Sequence, residues 1–390
     1  MAAAVTLAER GVPATVFESG PVPGGRARRV QSQGTELDNG QHILIGAYIE
    51  LYRLMQTVGV PSDALLRMPL EIRYAAHFSF RRLWLPEPFG LAGGLLTARG
   101  MPFGERVGAA QFIAHLRRAQ FKLSADMPVS ELLAQHKQNG SVAHYLWRPL
   151  CVSALNTPPE LASASAFLAV LRDTLGGAAE ASDLLLPRVD LSRLFPEPAA
   201  DYVRSHGGEM RLQTPVKDLG ALRQSFDRVI VAVGPHQLKT LLPDAPEYSY
   251  QPIYTCYLQY GENVRLPLAM LGLADGLVQW VFDRGALLGE KGRLACVISA
   301  QGDHQQMSLD ELAETCHREL AQAELVAEKP AWSRVIAEKR ATITCAPGAK
   351  ALPAAPEGIS FAGDYTDPEY PPTLEAAVRS GIRAARAIDG

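Results

Sequence analysis

The stretch Pro13-Ala14-Thr15-Val16-Phe17-Glu18-Ser19-Gly20-Pro21-Val22-Pro23-Gly24-Gly25-Arg26-Ala27-Arg28 decides the fold. Its first five residues are a short apolar run, the pattern of a buried strand. Glu18 closes the run, and Pro21, Pro23 and the Gly24-Gly25 pair turn the chain into a loop. An acid at the end of a strand in a dinucleotide-binding fold accepts hydrogen bonds from ribose hydroxyls. Adjacent glycines let the backbone approach a pyrophosphate, and a neighbouring Arg26 supplies charge-assisted bonds to it. Taken alone, the cluster is equally an ordinary surface turn with solvated arginines.

Working outward, residues 2–10 read as a helix, with Val5 and Ala8 at helical spacing and Gly11 as its stop. Residues 51–58 read as a second helix. The span 62–200 is mainly helical in pattern, broken by Pro and Gly; within it, 83–98 is apolar, Gly-rich and poor in charge. The character changes near residue 200. Gly207-Gly208 is a turn and 209–213 a candidate strand. Residues 228–233 are the clearest buried strand, β-branched, unalternated and ended by Gly234-Pro235. Strands are expected at 254–258 and 293–299, a helix at 309–325, a buried strand at 358–362 and a helix at 373–388. Short buried strands with glycine turns therefore recur at 12–46, 200–235 and 335–390. This interleaving predicts one α/β nucleotide-binding domain built from discontinuous segments (1–65, 200–240 and 335–390). A second, α+β substrate domain (66–199 and 241–334) is inserted into it.

Composition narrows the function classes. Of 390 residues, 47% are hydrophobic and 20% charged, enough apolar material for a packed core and too much for a disordered chain. The net charge of −3 excludes a nucleic-acid footprint spread over the whole protein. Five scattered cysteines, an odd number with no CxxC pair, fit neither a metal site nor a disulfide framework and read as free thiols in a reducing compartment. No uninterrupted apolar run reaches the ~18 residues of a membrane span. The first ten residues carry Glu9 and no basic region, unlike a secretory signal.

Two further clusters carry chemistry. Asp38-Asn39-Gly40-Gln41-His42 is a polar segment ahead of the apolar Ile43-Leu44-Ile45. A lone His42 is more often structural than catalytic. Near the other end, Gly363-Asp364-Tyr365-Thr366 follows a strand, and Thr373-Leu374-Glu375 opens a helix with a good cap and an acid in its first turn. Free backbone N–H groups at such a helix start face anions readily.

In this order, the Glu18/Gly24-Gly25-Arg26 segment, Asp38 to Tyr48, the strand before Gly234-Pro235 and the AGDYT…TLEAAVRSG segment (362–381) resemble the FAD-dependent amine oxidase and phytoene desaturase superfamily. Within it, the second and last segments most resemble the squalene-associated FAD-dependent desaturases, which include the hydroxysqualene dehydroxylases. The resemblance implies an FAD-binding Rossmann-like domain of the GR2 type. It implies that Glu18 binds the adenosine ribose, and that Gly24, Gly25 and Arg26 lie along the pyrophosphate. Gly40 and Gln41 would sit beside the isoalloxazine, and Val216 would meet the adenine through its backbone. Gly363 and Asp364 would hold the ribityl and pyrophosphate, and Leu374 would face the flavin pyrimidine edge. The superfamily's first strand and its GxGxxG turn have no counterpart ahead of Ala2, so the expectation is that about 20 residues are missing, through a start-site error or a truncation that weakens FAD binding.

The activity implied is reductive dehydroxylation of hydroxysqualene to squalene in squalene and hopanoid biosynthesis, with hydride from reduced flavin and His42 as the candidate acid. A carotenoid desaturase, a flavin amine oxidase and a truncated non-catalytic remnant are the alternatives. The amine oxidase fits less well, because Thr373 stands where that family usually places an aromatic. The expected partners are a long apolar isoprenoid substrate, a prenyl synthase that supplies it, and a membrane touched peripherally near 84–96. Nucleic acid is not expected. The expected location is cytoplasmic, against the inner face of the membrane.

Overall fold

A computed structural model describes residues 1–75, 78–348, 350–367 and 370–389. Helix Ala2–Glu9 ends at Gly11, whose φ of +71° is left-handed and so favours glycine. The helix lies against the C-terminal helix Leu374–Arg386. A Cβ added at Gly381 would approach Ala3 N to 3.0 Å, so the missing side chain sets how closely the two helices pack. Val5, Leu54, Val378 and Ile382 form the core between them, together with helix Ile49–Thr57.

Two parallel strand pairs join distant parts of the chain. Thr15–Phe17 pairs with Glu209–Arg211, and Val229–Val231 pairs with Ile359–Phe361. The interleaved α/β architecture expected from the sequence is therefore present. Its strands differ from expectation in burial. Thr15, Val16 and Phe17 are half-buried, as are Val229, Ile230 and the whole of Ile359–Phe361; only Val231 is fully buried. Each strand is hydrogen-bonded on one edge only, and an edge strand keeps part of its surface in contact with water.

The second half is built on a five-stranded antiparallel sheet in the order Met270–Gly272, Trp280–Asp283, Arg293–Ser299, Tyr250–Gln259, Trp332–Ile343. The alternation along Tyr250–Gln259 separates two cores. Tyr254, Cys256 and Leu258 pack with helix Leu309–Gln322, whereas Tyr257 joins the large core of the inserted helices. The boundary expected at 334/335 falls inside the 12-residue strand Trp332–Ile343, which pairs continuously with Tyr250–Gln259 apart from one bulge. The mainly helical reading of 62–200 also missed four short strands: Leu65–Met68, Glu71–Arg73, Ser79–Arg81 and Leu184–Pro187. With two to four residues facing a neighbour, such strands leave no readable alternation. All five cysteines are buried and free.

Candidate functional site

The sequence-predicted residues come together along one line from Thr15–Phe17 to the large sheet. Glu18 follows its strand directly, and its carboxylate accepts from Gly20 N at 2.7 Å. Its backbone pairs with Arg211 O and receives Thr214 N, both at 2.9 Å. The segment leading to the half-buried Val216 therefore runs beside Glu18. Gly24 and Gly25 adopt φ of +118° and +58°. A Cβ on Gly24 would lie 2.7 Å from Ala27 O and 2.9 Å from Pro196 Cγ, so only glycine fits.

Arg26 joins the two ends of the chain. Its Nη2 donates to Asp364 Oδ1 at 2.7 Å and its Nη1 to Ala341 O at 2.6 Å. Asn39 Nδ2 donates to Arg26 O at 3.0 Å and to Glu338 Oε2 at 3.1 Å, fastening the Gly24-Gly25 loop to the large sheet. Gly363, at φ +152°, donates its N–H to the buried Ser380 Oγ at 2.8 Å. A Cβ there would strike the Tyr365 ring. Asp364 is thus held by Arg26 from one side, beside the turn that leads to the C-terminal helix.

That helix starts as expected, with Thr373 Oγ1 accepting from Ala376 N at 3.1 Å and the half-buried Leu374 as its first residue. Its Glu375 is fully buried and accepts from Glu50 N, Leu51 N and Arg379 Nε at 3.1, 2.9 and 2.8 Å. One carboxylate in the first turn of this helix therefore also caps helix Ile49–Thr57.

A buried polar network underlies the Asp38–His42 segment. Arg284, 1% exposed, donates to Asp38 Oδ2 at 3.0 Å and forks onto Glu290 at 2.6 and 3.0 Å. Its guanidinium lies 5.4 Å from the centre of the Tyr257 ring. Tyr257 donates to Asp38 O at 2.8 Å and accepts from Gln41 Nε2 at 3.0 Å. Leu191 N completes the shell of Asp38 at 2.8 Å. Burial raises the Asp38 pKa, and Arg284 opposes it.

Gly40 lies at the centre of this loop. A Cβ built on it would sit 3.8 Å from Thr255 Oγ1 and 3.9 Å from His42 Cε1. Thr255 Oγ1 and His42 Nδ1 are both buried and have no hydrogen-bond partner among the described residues. Leaving two such atoms without partners is costly, which marks a place built to receive polar atoms of a bound group. The cradle at Gly24 and Gly25, with Arg26 and Asp364, fits the dinucleotide expected from the sequence. Gly40, Gln41 and His42 share a cavity with Leu186, Val189, Leu191, Phe282 and Leu287. Arg284, Tyr257, Glu290, Glu375 and Thr255 were missed by sequence reasoning. Apart from the helix start that holds Glu375 and the short Arg284–Glu290 fork, no local pattern surrounds them, and their other partners lie far away in the chain.

Burial pushes the His42 imidazole down to about 4, so it is neutral at pH 7. The unfolded imidazole titrates at 6.5. Between these values the unfolded chain binds a proton that the folded chain refuses, so the His42 contribution is full above pH 6.5 and is lost as pH falls toward 4. Wild-type protein is therefore expected to lose melting temperature over this interval more steeply than His42→Gln. Melting curves followed by circular dichroism at several pH values test this, and parallel profiles would contradict it.

The family model for flavin containing amine oxidoreductases matches residues 1–389. Hydroxysqualene dehydroxylase from Sinorhizobium fredii is 27% identical over 409 residues, covering 99% of this chain and 94% of the relative. Hydroxysqualene dehydroxylase from Rhodopseudomonas palustris is 30% identical over 421 residues, with the same coverage of 99% and 94%. Among solved structures, an oxidoreductase from Methanosarcina mazei superposes with a TM-score of 0.71 at 13% identity, covering 99% of this chain and 97% of that one.

Proposed function

The chain belongs to the flavin containing amine oxidoreductase family and is an FAD-dependent oxidoreductase, and from that premise we propose that it removes the hydroxyl of hydroxysqualene reductively to give squalene. The observation that carries this reading is the full-length similarity to two hydroxysqualene dehydroxylases, at 27% and 30% identity. The apolar wall of Leu186, Leu191, Phe282 and Leu287 around Gly40 and His42 supports it.

FAD, when bound and reduced, supplies the hydride equivalent that takes the place of the hydroxyl. The protein's own residues do the rest. Glu18, the Gly24-Gly25 backbone, Arg26 and Asp364 bind and orient the dinucleotide. Neutral His42 and Thr255 would hydrogen-bond the hydroxyl oxygen as its bond to carbon breaks, and that oxygen takes up a proton from solvent and leaves as water. The apolar wall keeps water from the electron-poor carbon left behind. The start of the C-terminal helix, with roughly half a positive charge, would stabilise negative charge on the reduced flavin.

Two measurements test these assignments. Protein supplied with FAD, a chemical reductant and hydroxysqualene is expected to yield squalene by gas chromatography and mass spectrometry. A conjugated polyene formed under oxidising conditions, with no squalene, would instead identify a desaturase. Separately, Leu374→Glu is expected to lower the flavin midpoint potential, because it adds like charge beside the reduced cofactor. Potentiometric titration at full flavin occupancy reads this, and an unchanged potential would mean that the helix start does not face the flavin.

A further inference from the structure

The surface formed by residues 79–103 exposes large apolar side chains together. Trp84, Phe89 and Phe103 are 81%, 66% and 68% exposed, and Leu85 and Leu96 are also exposed. Phe89 and Leu96 stand seven residues apart and share one face of helix Phe89–Thr97, while Leu91 and Leu95 on the other face are buried. A Cβ on Gly94 would come within 2.4 Å of Arg81 O, and one on Gly90 within 2.7 Å of Leu85 O, so glycines allow the 81–85 segment to lie on the helix. Leu85 Cδ1 lies 4.0 Å from the Cβ position of Gly93, which sits between Phe89 and Leu96 on the exposed face. Arg106 donates to Leu96 O at 3.3 Å and to Met101 O at 2.9 Å, drawing the turn that carries Phe103 against the end of the helix.

The acids nearest this face are paired with arginine. The single carboxylate between residues 79 and 103, Glu87, is held by Arg117 at 3.0 Å. Arg81 and Arg99 are exposed, on two segments joined by the pairing of Ser79 with Arg99; Arg81 also meets Glu71 at 3.7 Å. No helix among the described residues is long and apolar enough to cross a membrane.

We propose that this face docks on an anionic lipid bilayer, with Trp84, Leu85, Phe89, Leu96 and Phe103 entering the boundary between headgroups and acyl chains and Arg81 and Arg99 meeting lipid phosphates. Aromatic and aliphatic side chains ringed by arginine are complementary to that boundary. A second copy of the chain fits less well, since pairing the face with itself would bring the arginine edges together. The inference rests on the apolar-substrate reading for its purpose. Vesicle binding is measured without substrate, so it stands or fails separately from that reading.

The test uses the full chain supplied with FAD. Vesicles are phosphatidylcholine alone or phosphatidylcholine mixed with phosphatidylglycerol. Wild-type protein is expected to sediment with the anionic vesicles, with a blue shift in tryptophan fluorescence. The triple variant W84S/F89S/F103S is expected to partition roughly 10- to 100-fold less. R81Q/R99Q is expected to lose roughly 10-fold on anionic vesicles and little on neutral ones. If the triple variant misfolds by circular dichroism, Trp84→Ser alone is expected to abolish the blue shift while keeping the wild-type melt. Absence of wild-type binding to either vesicle would overturn the proposal. So would equal sedimentation of the folded triple variant, or a wild-type dimer that the variant converts to monomer.

Discussion

Arg284→Met is expected to cost about 3–5 kcal/mol, the range for breaking a buried ion pair by removing one partner. Asp38, 4% exposed, would lose the guanidinium that opposes the effect of burial on its carboxyl. Glu290 would lose both bonds of its fork and keep only Arg293. In a domain with a total stability of about 5–15 kcal/mol, that loss is large. It also carries a pH signature. Asp38 in the variant has its folded pKa raised further above the unfolded 3.8, so the folded chain binds the extra proton and stability falls as pH rises through the shifted range. Adding Asp38→Asn should recover part of the loss, because a neutral amide is cheaper to bury than an unpaired carboxylate. Urea unfolding of the two variants at pH 5 and pH 8 measures all of this. A loss under about 1 kcal/mol for Arg284→Met would mean that the network is not a supporting element of the Asp38–His42 loop.

Asp364→Ala is expected to weaken FAD binding roughly 10- to 100-fold, since hydrogen bonds to a charged group contribute about 1.5–3 kcal/mol. The variant removes the acceptor that holds Arg26 at 2.7 Å and, with it, the link between the Gly24-Gly25 loop and the Gly363 turn. Because the proposed role of Asp364 is in binding rather than at the helix start, the midpoint potential should barely change. Quenching of flavin fluorescence on titration with apoprotein gives the dissociation constant. An unchanged constant would place the carboxylate outside the cofactor site.

The parts of the site that were legible in the sequence are those where chemistry and backbone demand coincide locally. Glu18, Gly24 and Gly25 could be read because an acid, a strand end and two left-handed glycines stand within eight residues. Thr373 and Glu375 could be read as a helix start. The buried role of Glu375 could not, because it depends on backbone N–H groups more than 320 residues away. The same holds for Arg284. It looks like any surface arginine, yet it is buried against Asp38, 246 residues earlier, and Tyr257. Burial of the parallel strands was misread for a related reason. A run such as Val229-Ile230-Val231 reports which residues tolerate a core, but only the number of paired edges decides how much of each strand is covered. Thr255 is one position in an ordinary alternating strand. Its place beside Gly40 follows from the sheet register and the Asp38–His42 loop together.

The most direct test of the assigned function is an anaerobic single turnover. Protein loaded with FAD is reduced with one equivalent of dithionite, mixed with hydroxysqualene in detergent and followed at the oxidised-flavin absorbance. The expected result is return of that absorbance with one squalene formed per flavin reoxidised and loss of the substrate oxygen as water. His42→Ala and Thr255→Val should each slow the return without changing the stoichiometry. Flavin that stays reduced while intact hydroxysqualene is recovered would contradict the reductive dehydroxylation reading.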